Sequence, residues 1–264
     1  MIDLRGIVFD FNGTLYWDTE KHNVAWTILS RELREYELTI EEFKTKVQGR
    51  TTPDIIRFLL GGDVDEEVLR EIGDKKETLY RRLCLEDQEG LKLAPGATQF
   101  LDRLKVQGIP MAIATSSGTE NIDFYFEVFE LEKWFSFDRV VYSDGTMQGK
   151  PAPDIFLRAF QRLNLRPQEC MVVEDSPLGL EAAYRSQAGQ IVLMGGDSAW
   201  SGDSLDLNQE AAVHMDFFEL DKQYFCCQST FECKGNNLRA ASHERMKFML
   251  AGPFCSNYVK HQIV

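Results

Sequence analysis

The sequence lacks the features of membrane and secreted proteins. No segment of its 264 residues approaches the apolar length needed to cross a bilayer. The first residues lead into an apolar run without a secretory signal. The six cysteines do not demand a disulfide framework, and Cys84 and Cys170 have the apolar neighbours of small core residues. We therefore expect a cytoplasmic protein.

Positive charge is scarce. The chain has 29 Lys and Arg against 42 Asp and Glu, a formal net charge of −13. This excess argues against nonspecific binding to nucleic acid or an anionic membrane. It would also repel anionic substrates unless a cation and local basic residues reverse the field. With 44% apolar and 27% charged residues, the composition is that of a globular protein with a sizeable core.

The most informative segment is Gly-Ile-Val-Phe-Asp-Phe-Asn-Gly-Thr-Leu at residues 6–15. The apolar run at residues 7–9 predicts a strand buried on both faces, and Gly13 permits a tight turn after it. Asp10 would then lie at the carboxyl edge of a sheet, where a carboxylate nucleophile can reach a substrate. An isolated turn of this composition is more often purely structural, with side chains bonded to their own backbone.

Two later apolar runs also end in polar residues. Residues 111–114 lead into Thr115, Ser116 and Ser117, whose hydroxyl and backbone N–H groups could hold phosphate oxygens. Residues 170–173 lead into Glu174 and Asp175.

Those two carboxylates would repel each other and Asp10 unless a cation lies between them. Magnesium is the natural candidate. In the loop at 149–156, two prolines present Lys150 just before a predicted helix, where its ammonium can neutralise a phosphoryl oxygen.

In this order, the four motifs resemble those of the haloacid dehalogenase superfamily of phosphoryl-transfer enzymes. The resemblance covers nearly all of residues 1–221. The likeness is greatest to the β-phosphoglucomutase-like group, because Asp18-Thr19-Glu20 and then His22 match the start of that group's cap domain. It implies an α/β fold, with a Rossmann-like parallel sheet covered by helices on both faces and an inserted helical cap.

The resemblance also implies the roles of the site residues. Asp10 would be the nucleophile, and Thr115 and Lys150 would bind the phosphoryl group. Magnesium would bind Asp10, the backbone carbonyl of Asn12, and Asp175 with or without Glu174. The expected substrate-binding residues are Thr14, Ser116, Ser117, Arg50 and His22.

Two of these substrate contacts have structural alternatives. Arg50 follows Gly49 and could reach a second anionic group, but a solvated arginine at a helix start is equally compatible with the sequence. A histidine on an amphipathic helix such as His22 is more often packed or solvated than catalytic.

Asn12 departs from the family pattern. Most members have a second Asp there, which protonates the leaving oxygen and later deprotonates the attacking water or alcohol. An amide can do neither, although it can donate a hydrogen bond and its carbonyl can bind metal. Since acid–base catalysis contributes roughly 10²–10⁴-fold, the sequence predicts a slow phosphatase.

The spacing of apolar residues defines the expected domains. Residues 16–90 show helical periodicity and predict a cap inserted into an α/β core of residues 1–15 and 91–221. Later core elements are predicted at 121–129, 139–142, 154–163, 178–186 and 191–194, where helices and strands alternate as in a parallel sheet.

Residues 222–264 differ from the rest of the chain. They hold four of the six cysteines and show no sustained periodicity apart from a possible helix at 238–250. Cys226, Cys227, Cys233 and His243 do not match the spacing of structural zinc sites. An ill-ordered extension or an altered reading frame is the preferred interpretation.

Three functions stay open. The preferred one is a magnesium-dependent phosphatase acting on a small phosphorylated metabolite, such as a sugar phosphate. The others are a phospholigand-binding or regulatory protein without turnover, and a phosphosugar mutase. Thr52 stands where mutase relatives have a phosphate-binding arginine, which favours the phosphatase. No nucleic acid or membrane partner is expected. A monomer is the default, although the sequence is silent on oligomeric state.

Overall fold

The core of the protein is a parallel sheet, as the alternation of apolar strands and helices predicts. The computed structural model describes residues 4–47, 50–195 and 212–232. Six strands pair in parallel in the order β3-β2-β1-β4-β5-β6. The strands are β1 (Gly6–Phe9), β2 (Met111–Ala114), β3 (Val140–Val141), β4 (Cys170–Glu174), β5 (Gln190–Met194) and β6 (Ala212–Met215).

Helices cover both faces of this sheet. In chain order the helices are α1 (Thr19–Arg34), α2 (Ile40–Glu42), α3 (Thr52–Leu60), α4 (Glu66–Glu86), α5 (Ala97–Val106), α6 (Thr119–Phe129), α7 (Asp154–Leu163), α8 (Pro177–Arg185) and α9 (Phe217–Glu232). A single π-helical turn, Phe43–Val47, follows α2.

Alternate residues of β1 point into two separate hydrophobic clusters. Ile7 and Phe9 pack with α5, α6 and α9, whereas Val8 packs with α7 and α8. Both faces of the strand are therefore buried, which explains its uninterrupted apolar run. The arrangement confirms the predicted fold class.

The segment between β1 and α5 is helical and has a hydrophobic cluster of its own. Trp26 and Leu29 of α1 pack in it with Ile55, Ile56 and Leu59 of α3. These residues occupy the faces that their spacing predicts. Leu60 has the same helical spacing as Ile56 and Leu59 but is 40% exposed, because it lies at the end of α3 beside Gly61.

Helix α9 extends the folded part of the chain past the expected boundary at residue 221. Tyr224 and Phe225 are buried, and both rings lie about 6 Å from that of Phe100 in α5. Apolar contacts with the core therefore continue the helix past residue 221, and the predicted division of the chain into domains stays a prediction. The possible helix at 238–250 and most of the cysteine-rich segment lie outside the described residues.

Two further expectations concern the cysteines and membrane-spanning helices. Cys84 and Cys170 are buried and unbonded, as expected of small core residues. Within the described ranges, no helix combines the length and the apolar character that a bilayer crossing requires.

Candidate active site

Four loops at the carboxyl edge of the sheet form the candidate active site. Asp10 follows β1, and Thr115 and Asp175 follow its neighbours β2 and β4. Parallel strands deliver these side chains to one edge, and Lys150 joins them from the loop before α7. They border a pocket of about 200 Å³. Its lining residues are Asp10, Asn12, Thr115, Ser116, Lys150, Glu174, Asp175 and Ser176.

Lys150 supplies positive charge to this pocket. Its Nζ donates hydrogen bonds to Asp10 Oδ1 and Glu174 Oε1, each at 2.6 Å. Burial by itself would lower the pKa of Lys150, but the two carboxylates raise it above its ordinary value. The ammonium group therefore stays charged at neutral pH.

Asp10 is a buried carboxylate at the edge of the pocket, and its role as nucleophile stays a prediction. Burial raises the pKa of Asp10 to about 7, because the attraction of Lys150 does not offset desolvation and repulsion by Glu174. The residue is 6% exposed and lines the pocket. Above neutral pH it is ionised, as attack on phosphorus requires.

Glu174 uses both of its oxygens to organise the loop after β4. Its Oε2 accepts hydrogen bonds from the backbone N–H groups of Asp175 and Ser176, both at 2.7 Å, while Oε1 accepts from Lys150. A Cβ atom on Gly179 would lie 1.7 Å from Glu174 Oε1. Only glycine therefore lets α8 approach this carboxylate.

Asp175 is the third carboxylate of the pocket. Burial, followed by repulsion from Glu174 and Asp10, raises the pKa of Asp175 well above its ordinary value. Thr14 Oγ1 donates a hydrogen bond to Asp175 Oδ1 at 3.3 Å. Gly13 has a φ of +79°, and a Cβ there would lie 2.1 Å from Asp175 Oδ2, so both its conformation and its space require glycine.

These three carboxylates fit a divalent cation. One oxygen from each of Asp10, Glu174 and Asp175 lies within 4.8 Å of the others. Burial is the main cause of the raised pKa values of Asp10 and Asp175, and the excess negative charge of three carboxylates beside one ammonium adds to it. Carboxylate oxygens are the ligands that Mg²⁺ prefers. Asp10 and Asp175 are the better placed ligands, because Glu174 already bonds to Lys150 and the backbone.

Asn12 also lines the pocket, and both the nitrogen and the oxygen of its carboxamide form hydrogen bonds. Its Nδ2 donates to Asp18 Oδ2 at 2.6 Å and to Tyr125 OH at 2.7 Å. Its Oδ1 accepts from Ser117 Oγ at 2.8 Å and from Thr115 Oγ1 at 3.2 Å. The side chain thus links the loops after β1 and β2.

Of the residues predicted to contact the substrate, some line the pocket and others do not. Ser116 lines the pocket together with Thr115. Thr14 and Ser117 lie behind the lining, where they bond to Asp175 and Asn12. Arg50 is exposed in the loop before α3 and is not among the lining residues, so its contact with a substrate stays a prediction.

His22 likewise lies outside the lining. Its ring stacks on Tyr80 with centroids 4.0 Å apart, and its Nε2 lies 3.4 Å from Asp18 Oδ2. Lys76 Nζ donates to its Nδ1 at 2.7 Å and is also paired with Glu77. His22, which belongs to α1, therefore packs against α4. A role in substrate binding stays a prediction.

Four residues beside Asn12 and Asp175 were missing from the predicted site. Ser176 lines the pocket and caps α8, and its Ser-Pro sequence is a helix-start signal that could have identified it. Asp18 was used only to locate the cap. Tyr80 and Tyr125 lie on different helices, and nothing in their local sequence indicates that they meet near residue 12.

Comparison of the sequence with known proteins finds related hydrolases. The sequence model of the haloacid dehalogenase-like hydrolases matches residues 4–186. Protein CbbY of Rhodobacter capsulatus is 31% identical over 198 residues, which cover 73% of this chain and 86% of CbbY. Hexitol phosphatase A of Escherichia coli is 31% identical over 176 residues, covering 67% of this chain and 76% of the phosphatase.

Solved structures share the same fold. A haloacid dehalogenase-type hydrolase of family IA, variant 3, from Entamoeba histolytica superposes with a TM-score of 0.75 at 32% sequence identity. The match covers 82% of this chain and 95% of that one. Putative β-phosphoglucomutases also superpose, at identities below 25% that bear on the fold alone.

Proposed function

Because the chain belongs to the haloacid dehalogenase-like hydrolases, we propose that it is a magnesium-dependent phosphatase that acts through an aspartyl phosphate on Asp10. The observation that carries the proposal is the pairing of buried Asp10 with Lys150 in a pocket that holds two further carboxylates. Its substrates would be small phosphorylated metabolites, sugar phosphates among them. The name of the similar hexitol phosphatase A supports that class.

In the first step, an Asp10 carboxylate oxygen attacks phosphorus while the bond between phosphorus and the leaving oxygen breaks. Lys150 and the Thr115 hydroxyl would bind phosphoryl oxygens and stabilise their charge. Asp10, Asp175 and the Asn12 carbonyl, with Glu174 beside them, would hold Mg²⁺, which reduces repulsion between nucleophile and phosphate when it is bound. Water then hydrolyses the aspartyl phosphate and restores Asp10.

Asn12 would make this reaction slow. An amide neither protonates the leaving oxygen nor deprotonates water, and such catalysis contributes roughly 10²–10⁴-fold. The same residue is the reason to keep a second candidate, a protein that binds phosphorylated ligands without turnover. A monomeric state stays a prediction.

The test is magnesium-dependent phosphate release from a panel of sugar phosphates and an activated aryl phosphate. Wild-type protein should turn over, Asp10→Asn should not, and Asp63→Asn, at an exposed loop position, should match wild type. Magnesium-dependent ligand binding without turnover would favour the binding protein. Conversion of a sugar monophosphate into its isomer would favour a mutase.

A further inference from the structure

Asn12 has no free N–H group to offer a substrate. A carboxamide has two N–H bonds, and Nδ2 directs them at Asp18 Oδ2 and the Tyr125 hydroxyl. Neither acceptor lines the pocket. Both partners of Oδ1 are hydroxyl groups that point at it from the loop after β2.

Asp18 fixes the orientation of this amide. It is 1% exposed, its Oδ1 accepts the backbone N–H of Gly13 at 3.1 Å, and its Oδ2 accepts the Tyr80 hydroxyl at 2.5 Å. A carboxylate only accepts hydrogen bonds. Asn12 must therefore turn its nitrogen toward Asp18, and this places both N–H bonds outside the pocket.

We propose that Asp18 is a positioning residue that keeps both N–H bonds of Asn12 away from the substrate. Residue 12 then gives the leaving oxygen neither a proton nor a hydrogen bond, and substrates with a stable leaving anion are preferred. Within the proposed phosphatase activity, on which this inference rests, the favoured class is acyl, aryl and anomeric phosphates. As Asp10 bonds to phosphorus, the electron pair of the broken bond stays on the leaving oxygen. A stable anion suits this step better than a primary alkoxide.

Two tyrosine hydroxyls should allow the amide of residue 12 and the carboxylate of residue 18 to exchange places. Tyr80 and Tyr125 hydroxyls lie 3.0 Å apart, and each can donate or accept. In the native chain we infer that hydrogen bonds run from Asn12 through Tyr125 and Tyr80 to Asp18. With Asp at 12 and Asn at 18, the same hydroxyls can rotate and carry the hydrogen bonds in the opposite direction.

Single exchanges break this pattern. Asn12→Asp places two carboxyl groups about 2.6 Å apart in this geometry, where they repel unless one of them keeps a proton. Asp18→Asn gives an amide that must accept from Gly13 at one end and from Tyr80 and Asn12 at the other, which one carbonyl oxygen cannot do. Each single variant should therefore lower the melting temperature, and the double variant should recover most of the loss.

The experiment measures melting temperature and kcat/KM for wild type, both single variants and the double variant Asn12→Asp with Asp18→Asn. Substrates are para-nitrophenyl phosphate, phenyl phosphate and a primary alkyl phosphate. Wild type should prefer para-nitrophenyl phosphate to the alkyl phosphate by about 100-fold or more, and the double variant should reduce that ratio about tenfold or more. Asp63→Asn serves as the matched exposed control.

If the double variant loses as much melting temperature as the two single variants together, or fails to fold, residues 12 and 18 are not coupled in this way. Either result would overturn the positioning role of Asp18. Equal wild-type kcat/KM for aryl and alkyl phosphates would overturn the substrate preference without any variant. Failure of the proposed function looks different, because wild type would then release no phosphate from any of the three substrates, or Asp10→Asn would release as much as wild type. The melting temperatures test the pair even in that case.

Discussion

Asp10→Asn should make the metal-free protein more stable at pH 8 while it abolishes phosphoryl transfer. Burial raises the pKa of Asp10 from 3.8 to about 7, so the folded protein forces an ionised carboxylate into a site that already holds Glu174. The amide of the variant carries no charge, and its oxygen can still accept from Lys150. Removing the negative charge should therefore relieve repulsion.

The sign and the limit of this effect follow from proton linkage. Between about pH 4 and pH 7 the folded state keeps a proton on Asp10 that the unfolded state has lost, so this residue costs stability as pH rises. A difference of about three pKa units sets an upper limit of roughly 4 kcal/mol at pH 8. For a chain of this size, that corresponds to a rise of up to roughly 10 °C in melting temperature.

The assay is thermal unfolding in the presence of a chelator at pH 8 and at pH 5, with Asp63→Asn as the control for loss of one charge. The gain should be full at pH 8 and less than half as large at pH 5, because pH 5 lies only about one unit above the ordinary pKa of 3.8 and Asp10 of the folded wild type is still protonated there. Saturating Mg²⁺ should reduce the difference between variant and wild type, since a ligand at 100 times its Kd stabilises the protein that binds it by about 2.7 kcal/mol. A variant no more stable than wild type at pH 8 would refute the reasoning.

Three other predictions test the surrounding structure. Gly179→Ala should reduce kcat/KM and the Mg²⁺-induced rise in melting temperature, because its Cβ displaces Glu174; wild-type kinetics would contradict this. Phe225→Ala should cost about 3–5 kcal/mol in urea unfolding, since the ring is buried; a neutral effect would place it outside the core. The Mg²⁺-induced rise should be smaller at pH 5.5 than at pH 8, because protons compete for Asp10 and Asp175; a rise independent of pH would exclude them as ligands.

The sequence located the core elements well, because their signals are local. Strand β2 has the bounds that its apolar run predicts, and α7 begins and ends as expected between a proline-rich loop and Asn164. The loops of the candidate site follow from the same pattern, since parallel strands bring their carboxyl ends to one edge. Asp10, Thr115, Lys150 and Asp175 could thus be placed together before any coordinates were known.

Distant contacts decided the features that the sequence left undetermined. Helix α9 continues past residue 221 because Tyr224 and Phe225 find apolar partners more than 100 residues away in α5. The protein's sequence by itself determined that residue 12 is an amide, which cannot transfer a proton. Only the tertiary structure decided what surrounds that amide, because Asp18, Tyr80 and Tyr125 meet there from separate helices and loops, and burial makes each of them satisfy its hydrogen bonds within the group.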